Sequence, residues 1–233
     1  MNRDVGVTEL IRPSLPEWSV PLFELVAILG DGFLVVGVLV LIVGHDAYRS
    51  LEDGTEQLLT DRTAFVVAVV FGGLALTLVL KTAFGASRPP ASLQAVSRTG
   101  DGFPSGHTMA ATVLWTTLAL WGTHSTRQRR LATASIAVAL VAVSRLALGV
   151  HFLVDVVASV LFGVAFLLLA ALLTRRDPGR AFLGAAVLGT TALLVTGGTT
   201  DGWLAFLGCG GSALGWWAIS RPAVRQLWLS AMP

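Results

Sequence analysis

Three stretches of this 233-residue chain set reactive side chains at fixed spacings. The first is Lys81-Thr-Ala-Phe-Gly-Ala-Ser-Arg88-Pro89. Two cations seven residues apart point the same way on a helix, and Pro89 disfavours helix at Arg88, so the helix is expected to end there. The second is Pro104-Ser105-Gly106-His107-Thr108. Ser105 suits an N-cap, Gly106 lets a ligand approach the backbone, and the free N–H groups and dipole of a helix start attract an anion. The third is Ser144-Arg145-Leu-Ala-Leu-Gly-Val-His151-Phe-Leu-Val-Asp155. Arg145 lies in an apolar run and needs a partner. His151 and Asp155, four apart, share a helical face, and a carboxylate on one ring nitrogen raises the nucleophilicity of the other. Singly, each stretch has an ordinary reading: snorkelling cations, a plain cap with an interfacial histidine, a structural His–Asp pair. Jointly they supply three cations, two histidines, one carboxylate and a helix N-terminus, which calls for a ligand with several anionic oxygens. Phosphate is the obvious candidate. One histidine can attack phosphorus and the other can protonate the departing oxygen. No carboxylate cluster suits Mg²⁺, so neither a metal nor a cofactor is expected.

The elements that must position these groups follow from composition. Hydrophobic residues make up 54% of the chain and charged residues 13%, with mean hydropathy +0.75. A soluble domain carries about 25% charged residues. There are too few charges to coat a water-soluble globule, and an integral membrane protein is expected. A net charge of +2 without a basic run argues against nucleic acid. The single cysteine, Cys209, excludes an intramolecular disulfide and a Cys-based zinc site.

Stretches of about 20 apolar residues mark spans. They run over 21–44, 64–80, 107–122, 131–149, 152–173, 181–196 and 203–219, and predict an all-α transmembrane bundle of seven spans, or six if the first segment does not cross. The last two are rich in Gly, Ala and Ser and suit close packing. Trp18, Trp121, Trp203 and Trp217 lie near span ends, where an aromatic belt would place them. All three reactive stretches then fall on one side, with the N-terminus. That side carries Arg3, Arg12, Lys81, Arg88 and Arg98. The other carries Arg49, Arg62, Arg127, Arg129, Arg130, Arg175, Arg176, Arg180, Arg221 and Arg225. The bias of ten to five makes the second side cytoplasmic and places the reactive groups on the non-cytoplasmic face.

In order and spacing, Lys81-x6-Arg88-Pro89, Pro104-Ser105-Gly106-His107 and Ser144-Arg145-x5-His151-x3-Asp155 resemble the three-part signature of the type 2 phosphatidic acid phosphatases. The resemblance covers roughly residues 60–175, as a catalytic core within a single membrane domain over 1–233, with two additional spans over 180–220. It implies that His151 is the nucleophile that becomes phosphohistidine, that Asp155 orients it, and that His107 is the general acid. It also implies that Lys81, Arg88 and Arg145 hold the phosphate beside Ser105 and the Gly106 N–H, without a metal. The implied activity is hydrolysis of a lipid phosphate or diphosphate, phosphatidate-like or polyprenyl, at the non-cytoplasmic surface of a cell membrane. A lipid phosphotransferase would use the same site. A vanadium-dependent haloperoxidase is similar at these residues, but those relatives are soluble. A non-enzymatic binding protein is the third class; a retinal protein needs a lysine in the seventh span, and the one lysine here is Lys81.

Four residues stay outside this scheme. Glu24 and Asp31, seven apart in the first segment, either line a polar cavity or mark a segment lying partly at the interface. His45 and His124 read as surface residues at the opposite ends of their spans.

Overall fold

Seven helices of 16 to 24 residues follow one another between Gly32 and Ile219 in the computed structural model, which describes residues 6–230. Arg3 lies outside the described residues. Two short helices precede the seven, α1 (Val7–Ser14) and α2 (Val20–Ala27), and one follows, α10 (Pro222–Ser230). The seven are α3 (Gly32–Glu52), α4 (Asp61–Phe84), α5 (Gly106–Trp121), α6 (Arg127–Ala147), α7 (Leu153–Thr174), α8 (Pro178–Val195) and α9 (Thr200–Ile219). Five of them, α3, α4, α6, α7 and α8, are long and apolar enough to cross a membrane. Five of the seven starts carry a side-chain cap. Asp31, Thr60, Thr126, Asp177 and Thr199 accept a hydrogen bond from a backbone N–H two or three residues on, so that helix donors left open at the N-terminus are satisfied.

Helices α4 and α5 form the centre. Buried side chains from Ala64 to Val70 on α4 meet Met109, Ala110, Val113 and Leu114 on α5. Helices α6 and α7 flank α5, while α8 and α9 pack on each other and on α4. Small residues make this approach close: a Cβ added at Gly189 of α8 would stand 2.7 Å from the Cβ of Cys209 on α9. Large apolar side chains face outward, among them Leu161, Leu168, Leu169, Leu172 and Leu173 on α7. Such a surface suits acyl chains and not water.

Two boundaries differ from the sequence expectation, with consequences for the site. The first apolar segment is not one helix over 21–44. It stops at Ala27, makes a tight turn at Ile28–Gly30, and restarts at Gly32 with Asp31 as cap. Two glycines and a good capping residue there favour a break over a continuous crossing. Helix α4 ends at Phe84 and not at Arg88, because Gly85 takes the left-handed conformation (φ +52°) that closes helix ends.

Candidate active site

The four helix ends nearest the signature residues lie at one end of the bundle. They are the C-terminus of α4 with Lys81, the N-terminus of α5 with Gly106 and His107, the C-terminus of α6 with Arg145, and the N-terminus of α7 with Asp155. The segment 85–105 folds over them and carries Arg88. Its return path is held by Ala95 N–H donating to the Leu148 carbonyl at 3.0 Å and by Gly102 N–H donating to the Ala86 carbonyl at 2.6 Å. Gly149 makes the turn between α6 and α7 at φ +67°, and a Cβ there would collide with the Leu93 carbonyl. Only glycine meets both demands.

A cavity of about 410 Å³ opens among Lys81, Arg88, Arg98, Gly106, His107, Arg145 and His151. Lys81 and Arg88 do not share a helical face, since α4 has ended between them; the folded-back loop brings them together instead. Lys81 Nζ donates to the Asp101 carbonyl at 2.7 Å. Arg88 Nε donates to the Thr99 and Gly100 carbonyls, both at 3.2 Å. Arg145 is 1% exposed, and neither its Nε nor its Nη1 has a hydrogen-bond partner among the described residues. A buried guanidinium left in this state is costly unless an anion completes it. Burial, then Arg98, pushes Arg88 below its ordinary range, though arginine stays charged.

His151 is 1% exposed and its tautomer follows from its neighbours. Nδ1 lies 2.7 Å from the Gly102 carbonyl, which can only accept. Nε2 lies 3.2 Å from Arg88 Nη1, which can only donate. Nδ1 therefore carries the proton, and the lone pair is on Nε2, facing the cavity. Burial lowers the imidazole to about 4 against the raising effect of Asp155; Arg145, Arg88 and Lys81 push in the same direction as burial. The ring is therefore neutral at pH 7, the form in which an imidazole nitrogen can act as a nucleophile.

The relation to Asp155 is not that of two residues on one helical face. His151 precedes α7, and Phe152 is the cap. Asp155 Oδ2 accepts from the Phe152 N–H at 2.8 Å and stands 3.5 Å from His151 Nδ1. The carboxylate fixes the turn that presents the histidine, while the Gly102 carbonyl takes the direct bond. Nothing in the sequence singled out that carbonyl, because a backbone acceptor leaves no residue signal. Thr8 adds a further tie, donating from Oγ1 to the His151 carbonyl at 2.9 Å.

Ser105 is not brought into the cavity. It is fully buried at the cap position of α5, and its hydroxyl pairs with that of Thr108 at 3.0 Å. Its backbone ties α5 to α7: Ser105 N–H donates to the Asp155 carbonyl at 3.2 Å, and Ser159 Oγ donates to the Ser105 carbonyl at 3.0 Å. Gly106 does line the cavity. A Cβ there would come within 3.3 Å of Lys81 Cε, so glycine keeps the helix start open beside that cation.

The fold resembles a known one. The crystal structure of the first transmembrane PAP2 type phosphatidylglycerolphosphate phosphatase from Bacillus subtilis shares the fold, at TM-score 0.60 and 23% identity over 70% of this chain and 80% of that one. No curated protein matches the chain. The profile of the PAP2 superfamily covers residues 62–178, half of the chain and all three reactive clusters, and the chain therefore belongs to that superfamily.

Proposed function

We propose that this chain is a membrane phosphatase that hydrolyses a lipid phosphate through a phosphohistidine at His151. The observation that carries the reading is Arg145, a buried guanidinium with two nitrogens that have no hydrogen-bond partner among the described residues, beside Lys81, Arg88 and the unprotonated Nε2 of His151. These three cations and the Gly106 N–H bind the phosphoryl oxygens and stabilise the charge that spreads over them in transfer. A site walled by cations repels a metal ion, so the side chains take the role that Mg²⁺ has elsewhere.

Phosphate draws Arg88 Nη1 from Nε2, and the freed lone pair attacks phosphorus as the bond to the lipid oxygen breaks. The Gly102 carbonyl and Asp155 stabilise the positive ring that results. Protonated His107 gives its proton to the departing oxygen, then takes one from the water that attacks the phosphohistidine. Inorganic phosphate leaves and His151 is restored. The PAP2 superfamily relationship and the likeness to a phosphatidylglycerolphosphate phosphatase support a lipid phosphate as substrate. The ten-to-five bias of basic residues supports a site on the non-cytoplasmic face.

The test is phosphate release by purified protein from a panel of lipid phosphates and diphosphates. Activity is expected to resist EDTA, to be blocked by vanadate, and to vanish in His151→Ala. Activity surviving that substitution in a folded protein overturns the mechanism. Orientation is checked in a Cys209→Ser background, with single cysteines in the 90–103 and 125–130 loops. Labelling of the second loop from outside reverses the assignment.

A further inference from the structure

Asp31 and Glu24 belong to none of the three clusters, yet the break in the first apolar segment carries them to the site. The break is pinned to α5 at two points. A Cβ at Gly30 would collide with the His107 carbonyl, so the turn rests directly on the backbone of that histidine. Trp115 Nε1 donates to the Leu29 carbonyl at 3.0 Å. Asp31 follows at once. Its Oδ1 caps α3 through the Phe33 N–H at 2.8 Å, and its Oδ2 stands 3.8 Å from His107 Nε2. A second cavity, about 420 Å³, is bounded by Glu24, Asp31, Arg98, His107 and Arg145. It shares His107, Arg98 and Arg145 with the cavity that holds His151. His107 thus stands between a chamber whose charged side chains are all basic and one that adds two carboxylates, Glu24 and Asp31.

A general acid there has a difficulty. Arg145 from α6, His151 from the α6–α7 turn, and Arg88 and Arg98 from the 85–105 segment all bear on His107, and Lys81 from α4 lines the same cavity. Burial first, and then the like charge of the arginines, disfavours a protonated ring. On the side of the second cavity, Glu24 faces Arg98, Oε1 to Nη2 4.0 Å, and Asp31 faces the imidazole.

Resting on the phosphatase reading, we propose that Asp31 is the positioning residue of His107. Its carboxylate takes the Nε2–H and holds the ring in its charged form, which leaves the Nδ1 proton for the departing lipid oxygen. Closing from 3.8 Å to a hydrogen bond needs only a small side-chain rotation, and apo geometry at catalytic acids is commonly this loose. After transfer the ring is neutral with its proton on Nε2 toward Asp31, and Nδ1 accepts the proton of the attacking water. The signature supplies the acid, and the N-terminal segment supplies the counter-charge that keeps it protonated.

The experiment compares Asp31→Asn with wild type on two esters: a lipid phosphate, whose alkoxide must be protonated to leave, and p-nitrophenyl phosphate, whose anion leaves unaided. Asparagine is as good an N-cap as aspartate, so α3 keeps its start. The expected result is a kcat about 10-fold or more lower on the lipid phosphate, with less than about 3-fold change on the aryl ester and KM held. The alkaline limb of kcat should move to lower pH, since a neighbouring anion no longer favours the imidazolium. His107→Ala should show the same ester dependence, and adding Asp31→Asn to it should cost nothing more. Asp31→Glu, which keeps the charge, should recover part of the lipid rate. Equal losses on both esters, or an unmoved pH profile, overturn the role of Asp31 alone. No phosphate release by wild type, or release that survives in His151→Ala, overturns the phosphatase reading and this inference with it.

Discussion

The bundle has a cavity at each end, and both hold histidine and arginine. At the end away from the signature, about 450 Å³ is bounded by His45, Asp46, Arg49, Asp53, Arg62 and His124 among others. There the charges answer one another. Arg49 reaches Glu52 and Asp53 at 3.5 Å each, and Asp46 accepts from the Thr60 N–H and hydroxyl at 2.7 and 3.0 Å. The rings of His45 and His124, both exposed, stand 6.1 Å apart. At the signature end Lys81 and Arg88 meet backbone carbonyls and the His151 ring but no carboxylate oxygen, and two nitrogens of Arg145 have no hydrogen-bond partner among the described residues. Neither cavity size nor the presence of histidine separates the two. What separates them is positive charge buried without a carboxylate to match it, an arrangement that costs stability and is retained where a ligand completes it.

The contrast can be broken or sharpened by substitution. The largest effect is expected from Arg145→Met. It should lower kcat/KM for a lipid phosphate by about 100-fold or more, as loss of a charge-stabilising donor does. Because an unpaired buried cation is removed, the thermal midpoint should hold or rise. Measuring phosphate release and a melt on the same detergent-solubilised sample checks both. A large fall in midpoint would mean that Arg145 is structural and that the two cavities differ less than argued.

A smaller effect is expected from pH. The unfolded chain takes up a proton at His151 near pH 6.5, and the folded chain refuses it until about 4. Stability should therefore fall as pH drops from about 6.5 toward 4, by an amount that disappears in His151→Asn. Melts across that window test the sign, and nitrogen NMR of the histidine rings should show His151 neutral with its proton on Nδ1.

The least effect is expected at the opposite end. Arg49→Ala should change stability by less than about 1 kcal/mol, as exposed ion pairs do, and His124→Ala should leave phosphate release within about 2-fold of wild type. A strong loss in either would give that cavity a role the geometry does not assign it.

The boundaries of the helices from α4 to α9 were legible to within a few residues because hydropathy and capping residues are local signals. The clusters were legible because Lys81, Arg88, His107, Arg145, His151 and Asp155 recur at a distinctive spacing, which marked them as one set before their contacts were known. Roles that depend on contact were not legible. Ser105 reads as a phosphate neighbour, but its hydroxyl turns inward to Thr108. His151 and Asp155 read as one helical face, but the histidine sits ahead of the helix and bonds to a carbonyl 49 positions away in sequence.

The amino-acid sequence by itself determined that the chain is a helical membrane bundle and which side chains are candidates for chemistry, since burial of apolar length and residue type are written position by position. Only the tertiary structure decided which nitrogen of His151 carries the proton, that two nitrogens of Arg145 have no hydrogen-bond partner among the described residues, and that Asp31 faces His107. Each of these depends on a carbonyl, a carboxylate or a gap contributed by a remote segment. Such a relation exists only once Gly30 rests on α5 and the 85–105 segment has folded back over the helix ends.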